Sequence, residues 1–164
     1  MTTLASYTSP ELIFPQLLNR ATPAVIGELC SALERHGRVK EPLPLFNAVM
    51  SHEMLSSSAM APGWALPHAR LKQLSQLSFA LGRSRPALEW HGQAEPKVQL
   101  VFLSAIPETD GATYLTLISG LARLSQDAAR LERLLQASNR EAIYEVLKEI
   151  PLRSPNPAPL RRSA

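Results

Sequence analysis

Val98-Gln99-Leu100-Val101-Phe102-Leu103 is the most strand-like run in this chain of 164 residues. Its near-continuous apolar character is that of a central strand covered on both faces, not the alternation of a strand with one wet side. Working back from it, Leu77-Ser78-Phe79-Ala80-Leu81 reads as a second strand ended by Gly82. Leu12-Ile13-Phe14, halted by Pro15, reads as an edge strand. Two helices fall between these. One is capped by Thr22 with Pro23 at its first position, carries Ile26, Leu29, Cys30 and Leu33 on one face, and ends at Gly37. The other starts at Glu41-Pro42 and carries Leu45, Val49 and Met50. Working forward, the chain turns helical. Tyr114, Leu115, Ile118, Leu121 and Ala122 mark one face, and Leu131, Leu134 and Leu135 another. A capping box from Ser138 to Glu141 opens a last helix lined by Ile143, Val146, Leu147 and Ile150 and stopped by Pro151. Strands early and central, with helices around and after them, make an α/β sandwich with helices on the sheet faces, and no internal repeat interrupts it.

Length and charge narrow the class. A chain of this size suits one domain and buries enough surface to need no disulfide or metal staple. Residues 1–9 are polar and expected to be a flexible N-terminus, residues 10–150 form the domain, and residues 151–164, with four prolines, form a flexible tail. Seventeen Lys and Arg stand against fourteen Asp and Glu, but Arg153, Arg161 and Arg162 lie in an acid-free tail, so residues 1–150 are neutral. With only 5% aromatic residues as well, a nucleic-acid surface is set aside. The single cysteine, Cys30, excludes an intramolecular disulfide and reads as a small buried helix residue. No signal peptide and no membrane-length apolar run are present, which points to the cytoplasm.

Glycine-rich phosphate loops, serine elbows and His-Glu-x-x-His are missing, so any phosphate chemistry must come from side chains. Of the four histidines, His36 ends a helix and His91 sits in the Trp90-His91-Gly92 turn. His52 and His68 offer no metal-ligand spacing with them, and neither metal nor cofactor is expected. His68 differs in its setting. It follows the small-residue loop Ser56–Gly63 and a short apolar strand, and Pro67 fixes the backbone before it. That can hold an imidazole rigidly at a strand end, as acid, base or nucleophile, although a plain strand-end histidine fits position alone.

Gly63-Trp64-Ala65-Leu66-Pro67-His68-Ala69-Arg70 resembles the Gly-x-Ala-x-Pro-His-Ala/Gly signature of phosphotransferase-system EIIA domains of the mannitol/fructose type, which include nitrogen-regulatory EIIA-like proteins. Val101 to Glu108, followed by Tyr114-Leu115 and Leu121 to Leu124, is similar to a second block of that family, and Ala87-Leu88-Glu89-Trp90 to a third segment. The resemblance implies a single α/β domain with a mixed sheet between helices, acting as a phosphohistidine phosphotransferase component. His68 would accept a phosphoryl group from the carrier protein HPr. It would then pass the group to an EIIB-type domain, or a regulatory partner would read its presence.

The departures from that family are specific. Its Arg-Glu pair before the loop is here His52-Glu53, and its Ser-Thr-Gly-x-Gly loop is Ser57-Ser58-Ala59-Met60-Ala61. A histidine at the start of its later helix aligns with Tyr114. Ser58, His52 and Tyr114 are therefore the expected phosphate surround, and Trp64 and Met60, with Leu66, the expected apolar rim for a protein donor. Core packing is the other reading for Trp64 and Leu66. The alternative function is an EIIA-like regulatory module that binds partners with phosphotransfer reduced or lost.

Overall fold

A computed structural model describes residues 1–153. In chain order it contains β1 (Ile13–Phe14), α1 (Thr22–Arg35), α2 (Pro42–Leu55), β2 (Ala59–Met60), β3 (Trp64–Ala65), β4 (His68–Leu71), β5 (Ser78–Glu89), β6 (Lys97–Pro107), α3 (Gly111–Ser125), α4 (Ala128–Gln136) and α5 (Arg140–Lys148). The strands form one mixed sheet in the order β1-β5-β6-β3-β2, with β4 also paired to β6. The apolar run at 98–103 lies at its centre. β5 runs antiparallel to β6, while β3 and β4 both run parallel to it.

Alternation along β6 divides the core in two. Val101, Leu103 and Ala105 face α1 and α2 together with Val25, Leu29, Leu45 and Val49. Leu100, Phe102 and Ile106 face α3, α4 and α5 together with Leu117, Leu124, Leu134 and Ile143. This is the expected sandwich, with apolar helix stripes burying both faces of a central strand.

Several local expectations are corrected. The second strand does not end at Gly82 but continues to Glu89, because pairing with β6 runs on from Gly82–Val101 to Glu89–Lys97, and the glycine serves to seat Leu17, whose side chain a Cβ there would strike. The cap of α1 is Ala21, with Pro23 one position inside, and the Thr22 hydroxyl instead accepts a bond from the His91 N–H at 2.8 Å. The buried stripe of α3 is Leu117, Gly120, Leu121 and Leu124, so Leu115 and Ala122 face outward. The capping box is replaced by Asn139, whose side chain accepts from Ala142 N–H at 2.8 Å.

The opening residues, expected to be flexible, are packed. Leu4 is fully buried in the α3–α5 core, and its N–H donates to Ile150 O at 3.0 Å. Leu152 N–H donates to Thr2 O at 2.8 Å, and Thr3 pairs with Pro151, so the two ends of the domain are stitched together. The tail expected to be flexible, with Arg161 and Arg162, lies outside the described residues apart from 151–153. Cys30 is buried as expected, and burial pushes its thiol up to about 12.

Candidate functional site

β3 and β4 are two pieces of a strand that breaks at Leu66-Pro67. β3 pairs with β6 at Leu100 and Val101, and β4 pairs with it from Ser104 to Pro107. Proline has no N–H for a ladder and is tolerated where pairing is interrupted. The break releases both backbone groups of Leu66. Its N–H donates to Ser58 Oγ at 3.2 Å and, at the longer distance of 3.4 Å, to the Ser58 carbonyl, while its own carbonyl accepts from His68 Nδ1 at 2.9 Å. A carbonyl can only accept, so the proton of the neutral ring sits on Nδ1 and the lone pair on Nε2 is left free. The strand-end setting read for His68 thus takes a particular form: it is the first residue of β4, half-buried, at the lip of the break.

Two of the three residues expected around the phosphate, His52 and Tyr114, stand beside this ring. The His52 ring, exposed in the last turns of α2, stands edge-on to His68 with centroids 5.6 Å apart. The Tyr114 ring, in the first turn of α3, lies 5.1 Å away. Burial pushes the Tyr114 phenol up to about 12, against a smaller opposing pull from Arg70, so it is a neutral hydroxyl at physiological pH. Ser58 donates its hydroxyl to Glu53 while accepting from Leu66.

The alanines in the loop are accommodated. Among described non-glycine residues only His91 has a positive φ, so neither Ala59 nor Ala61 adopts a left-handed backbone. Ala59 pairs with Ala65 in the β2–β3 ladder, and Gly63 carries the positive φ that the loop requires.

The rim is corrected at one position. Trp64 is only 3% exposed and stacks on Phe102 at 4.9 Å, because the single pleat that β3 contributes there points into the α3–α5 core. Met60 is exposed as expected. Leu55, three residues beyond His52, and Leu115, next to Tyr114, are exposed as well. A cleft of about 520 Å³ lined by Arg20, Thr22, His91 and Lys97 does not include His68.

Two further residues escape the sequence reading. Arg70 lies two positions beyond His68, hence on the same face of β4, and a Cβ at Gly111 would stand 3.2 Å from its Nη2. Among the described residues it enters no hydrogen bond or ion pair. Strand alternation from His68 was the available signal. Glu53, with 4% exposure, accepts from Ser58 N–H and Trp90 Nε1, both at 3.2 Å, from His91 Nε2 at 2.8 Å, and from the Ser58 hydroxyl. Only its place beside His52 in the Arg-Glu position hinted at it. His36 caps the end of α1, and no cluster of metal-ligating side chains occurs among the described residues.

Residues 6–150 match the family model of the phosphoenolpyruvate-dependent sugar phosphotransferase system, EIIA 2. The chain belongs to this EIIA family. It is 28% identical over 145 residues to a nitrogen regulatory protein of Bradyrhizobium diazoefficiens, covering 88% of this chain and 94% of that one. Its fold is that of the nitrogen regulatory protein IIA-Ntr of Neisseria meningitidis, with a TM-score of 0.78 at 23% identity over 88% of this chain and 98% of that one. It is also that of the mannitol enzyme IIA of Escherichia coli, solved in complex with phosphorylated enzyme IIB, with a TM-score of 0.73 at 18% identity over 86% and 96% of the two chains. Among the described residues no helix is long and apolar enough to cross a membrane.

Proposed function

We propose that this EIIA-family chain is a cytoplasmic phosphocarrier that accepts a phosphoryl group on Nε2 of His68 from an HPr-type protein. It then hands the group to an EIIB-type domain or signals by its phosphorylation state. The observation that carries this is the Nδ1–Leu66 bond, which presents one ring nitrogen as a nucleophile and supports positive charge on the ring once the other is phosphorylated. In the transfer, the Nε2 lone pair forms the new N–P bond. The donor's N–P bond breaks, its electron pair returns to the donor ring nitrogen, and the Nδ1 proton stays in place. Such a reaction asks the protein mainly for positioning and for charge against the phosphoryl oxygens, which Arg70, His52 and the Tyr114 hydroxyl supply. A half-buried acceptor beside exposed Met60, Leu55 and Leu115 suits a protein donor better than a small one.

A second reading, a regulatory binding module with weak transfer, is favoured by one observation: the family's arginine beside the acceptor is His52. Intact mass after incubation with phosphoenolpyruvate, enzyme I and HPr separates the two. The expected result is one acid-labile phosphoryl group on the wild type and none on His68→Ala. An unlabelled wild type beside a labelled control EIIA overturns the carrier in favour of the binding module.

A further inference from the structure

Glu53 is a buried carboxylate with no lysine or arginine bonded to it among the described residues. Such a group is tolerated only when its oxygens are well supplied with donors, and this one has four: Ser58 N–H, the Ser58 hydroxyl, Trp90 Nε1 and His91 Nε2. A carboxylate only accepts, so Nε2 of His91 is the donor in the last of these. His91 is held for this contact. It has a left-handed backbone with φ of 54°, unusual for a residue bearing a Cβ, and is pinned at both ends, its N–H on Thr22 Oγ1 and its ring on Glu53. Backbone strain of this kind persists where its surroundings over-determine it, and it concentrates at functional sites.

One of these partners, Ser58, leads on toward His68. The Ser58 hydroxyl, its hydrogen committed to Glu53, turns its lone pairs to Leu66 N–H, and the next group along is the Leu66 carbonyl that receives the Nδ1 proton of His68. We propose that Glu53, anchored by His91 and Trp90, is a positioning residue that sets the tautomer of His68 through Ser58 and the Leu66 peptide. With the carboxylate in place, Ser58 is a fixed acceptor for the Leu66 N–H, and across the Leu66 Cα the carbonyl of the next peptide unit is held on Nδ1. Without it, the hydroxyl rotates freely, the peptide relaxes, and the ring proton divides between its two nitrogens. Every molecule carrying the proton on Nε2 lacks the nucleophilic lone pair. The geometry stands by itself, while its consequence for transfer rests on the phosphocarrier reading.

The test uses the full chain and two variants, Glu53→Gln and Ser58→Ala, the second removing a single hydroxyl so that folding is retained if the first fails. Nitrogen-15 spectra of the histidine rings, recorded at alkaline pH where the imidazole is neutral, report the tautomer directly. The expected wild-type signature is protonated Nδ1 with unprotonated Nε2, and the expected variant signature is a mixture. Phosphoryl transfer from HPr falls about ten- to a hundredfold in kcat, the range found when a group that orients a reactive ligand is lost. KM for HPr is unchanged, and Glu53→Asp recovers part of the rate. A folded Ser58→Ala or Glu53→Gln protein with the wild-type ring signature overturns the proposal, as does an undiminished kcat. If the wild type takes up no phosphoryl group yet the variants lose the single tautomer, the positioning role of Glu53 stands and the phosphocarrier reading falls.

Discussion

Arg70 lies on the acceptor's side of β4 because residues two apart on a strand share a face, and Gly111 opens α3 with no side chain in the way of its guanidinium. His52 approaches from α2 on another side, a shorter group than an arginine and without its planar fork of donors. A permanent, planar cation on β4 can therefore take over part of the work that an arginine on α2 would do. Arg70→Gln should slow phosphorylation of His68 about ten- to a hundredfold, with Arg70→Lys intermediate, in keeping with the loss of one charge-stabilising donor. His52→Arg should raise the rate about tenfold, the scale on which one added charge-assisted contact acts. Quench-flow transfer from labelled HPr measures both. A rate indifferent to Arg70 would leave the phosphoryl oxygens to Tyr114, His52 and the backbone.

At the scale of elements, the three C-terminal helices begin with an acidic or amide side chain that bonds an otherwise orphaned N–H. Asp110 accepts from Thr113 N–H at 3.2 Å, Asp127 from Arg130 N–H at 3.1 Å, and Asn139 from Ala142 N–H at 2.8 Å. The first helices use proline in the first turn and have no side-chain cap. Asn139→Ala should cost about 1 kcal/mol, and Ser138→Ala, at the position the sequence pattern favours, much less. Thermal melts of the two variants make the comparison, with a drop of about 2–4 °C expected for Asn139→Ala in a domain of this size. Equal shifts would return the cap to Ser138. The pattern misleads because serine and asparagine are both good caps and sit next to each other. Backbone geometry selects between them, and Asn139 has the extended φ of −150° and ψ of 171° that precede a helix.

At the scale of the molecule, stability is spread over long-range contacts that tie the chain's beginning to its end. Leu4 fills a site against Gly120, where a Cβ would stand 3.0 Å from the leucine's Cδ2, so the missing side chain on α3 is what lets the N-terminal turn dock. Leu4→Ala should lower stability by about 2–5 kcal/mol, as for other buried leucines, and urea unfolding measures it. A truly loose N-terminus predicts no change. Arg83, buried in β5 with no acid bonded to it, works similarly at a distance. Its Nε donates to Pro15 O at 2.9 Å, and its Nη1 donates to the carbonyls of Leu134 and Leu135 at the end of α4. This buried arginine serves carbonyls that only the folded chain brings near.

The sequence by itself determined the α/β class, the central strand at 98–103, the amphipathic helices and the prominence of His68. Each of these is written in local periodicity or in a short contiguous motif, and such signals survive without knowledge of the fold. Tertiary structure alone decided that Trp64 is core and Arg70 a neighbour of the site. It decided that Glu53 gathers donors from Ser58, Trp90 and His91, and that the first residues are packed. These depend on which side of the sheet a pleat faces and on contacts between residues far apart in the chain. The proton of His68 is the plainest case. Pro67 announces a break in the strand, but only the folded backbone turns the Leu66 carbonyl toward Nδ1 and leaves Nε2 open.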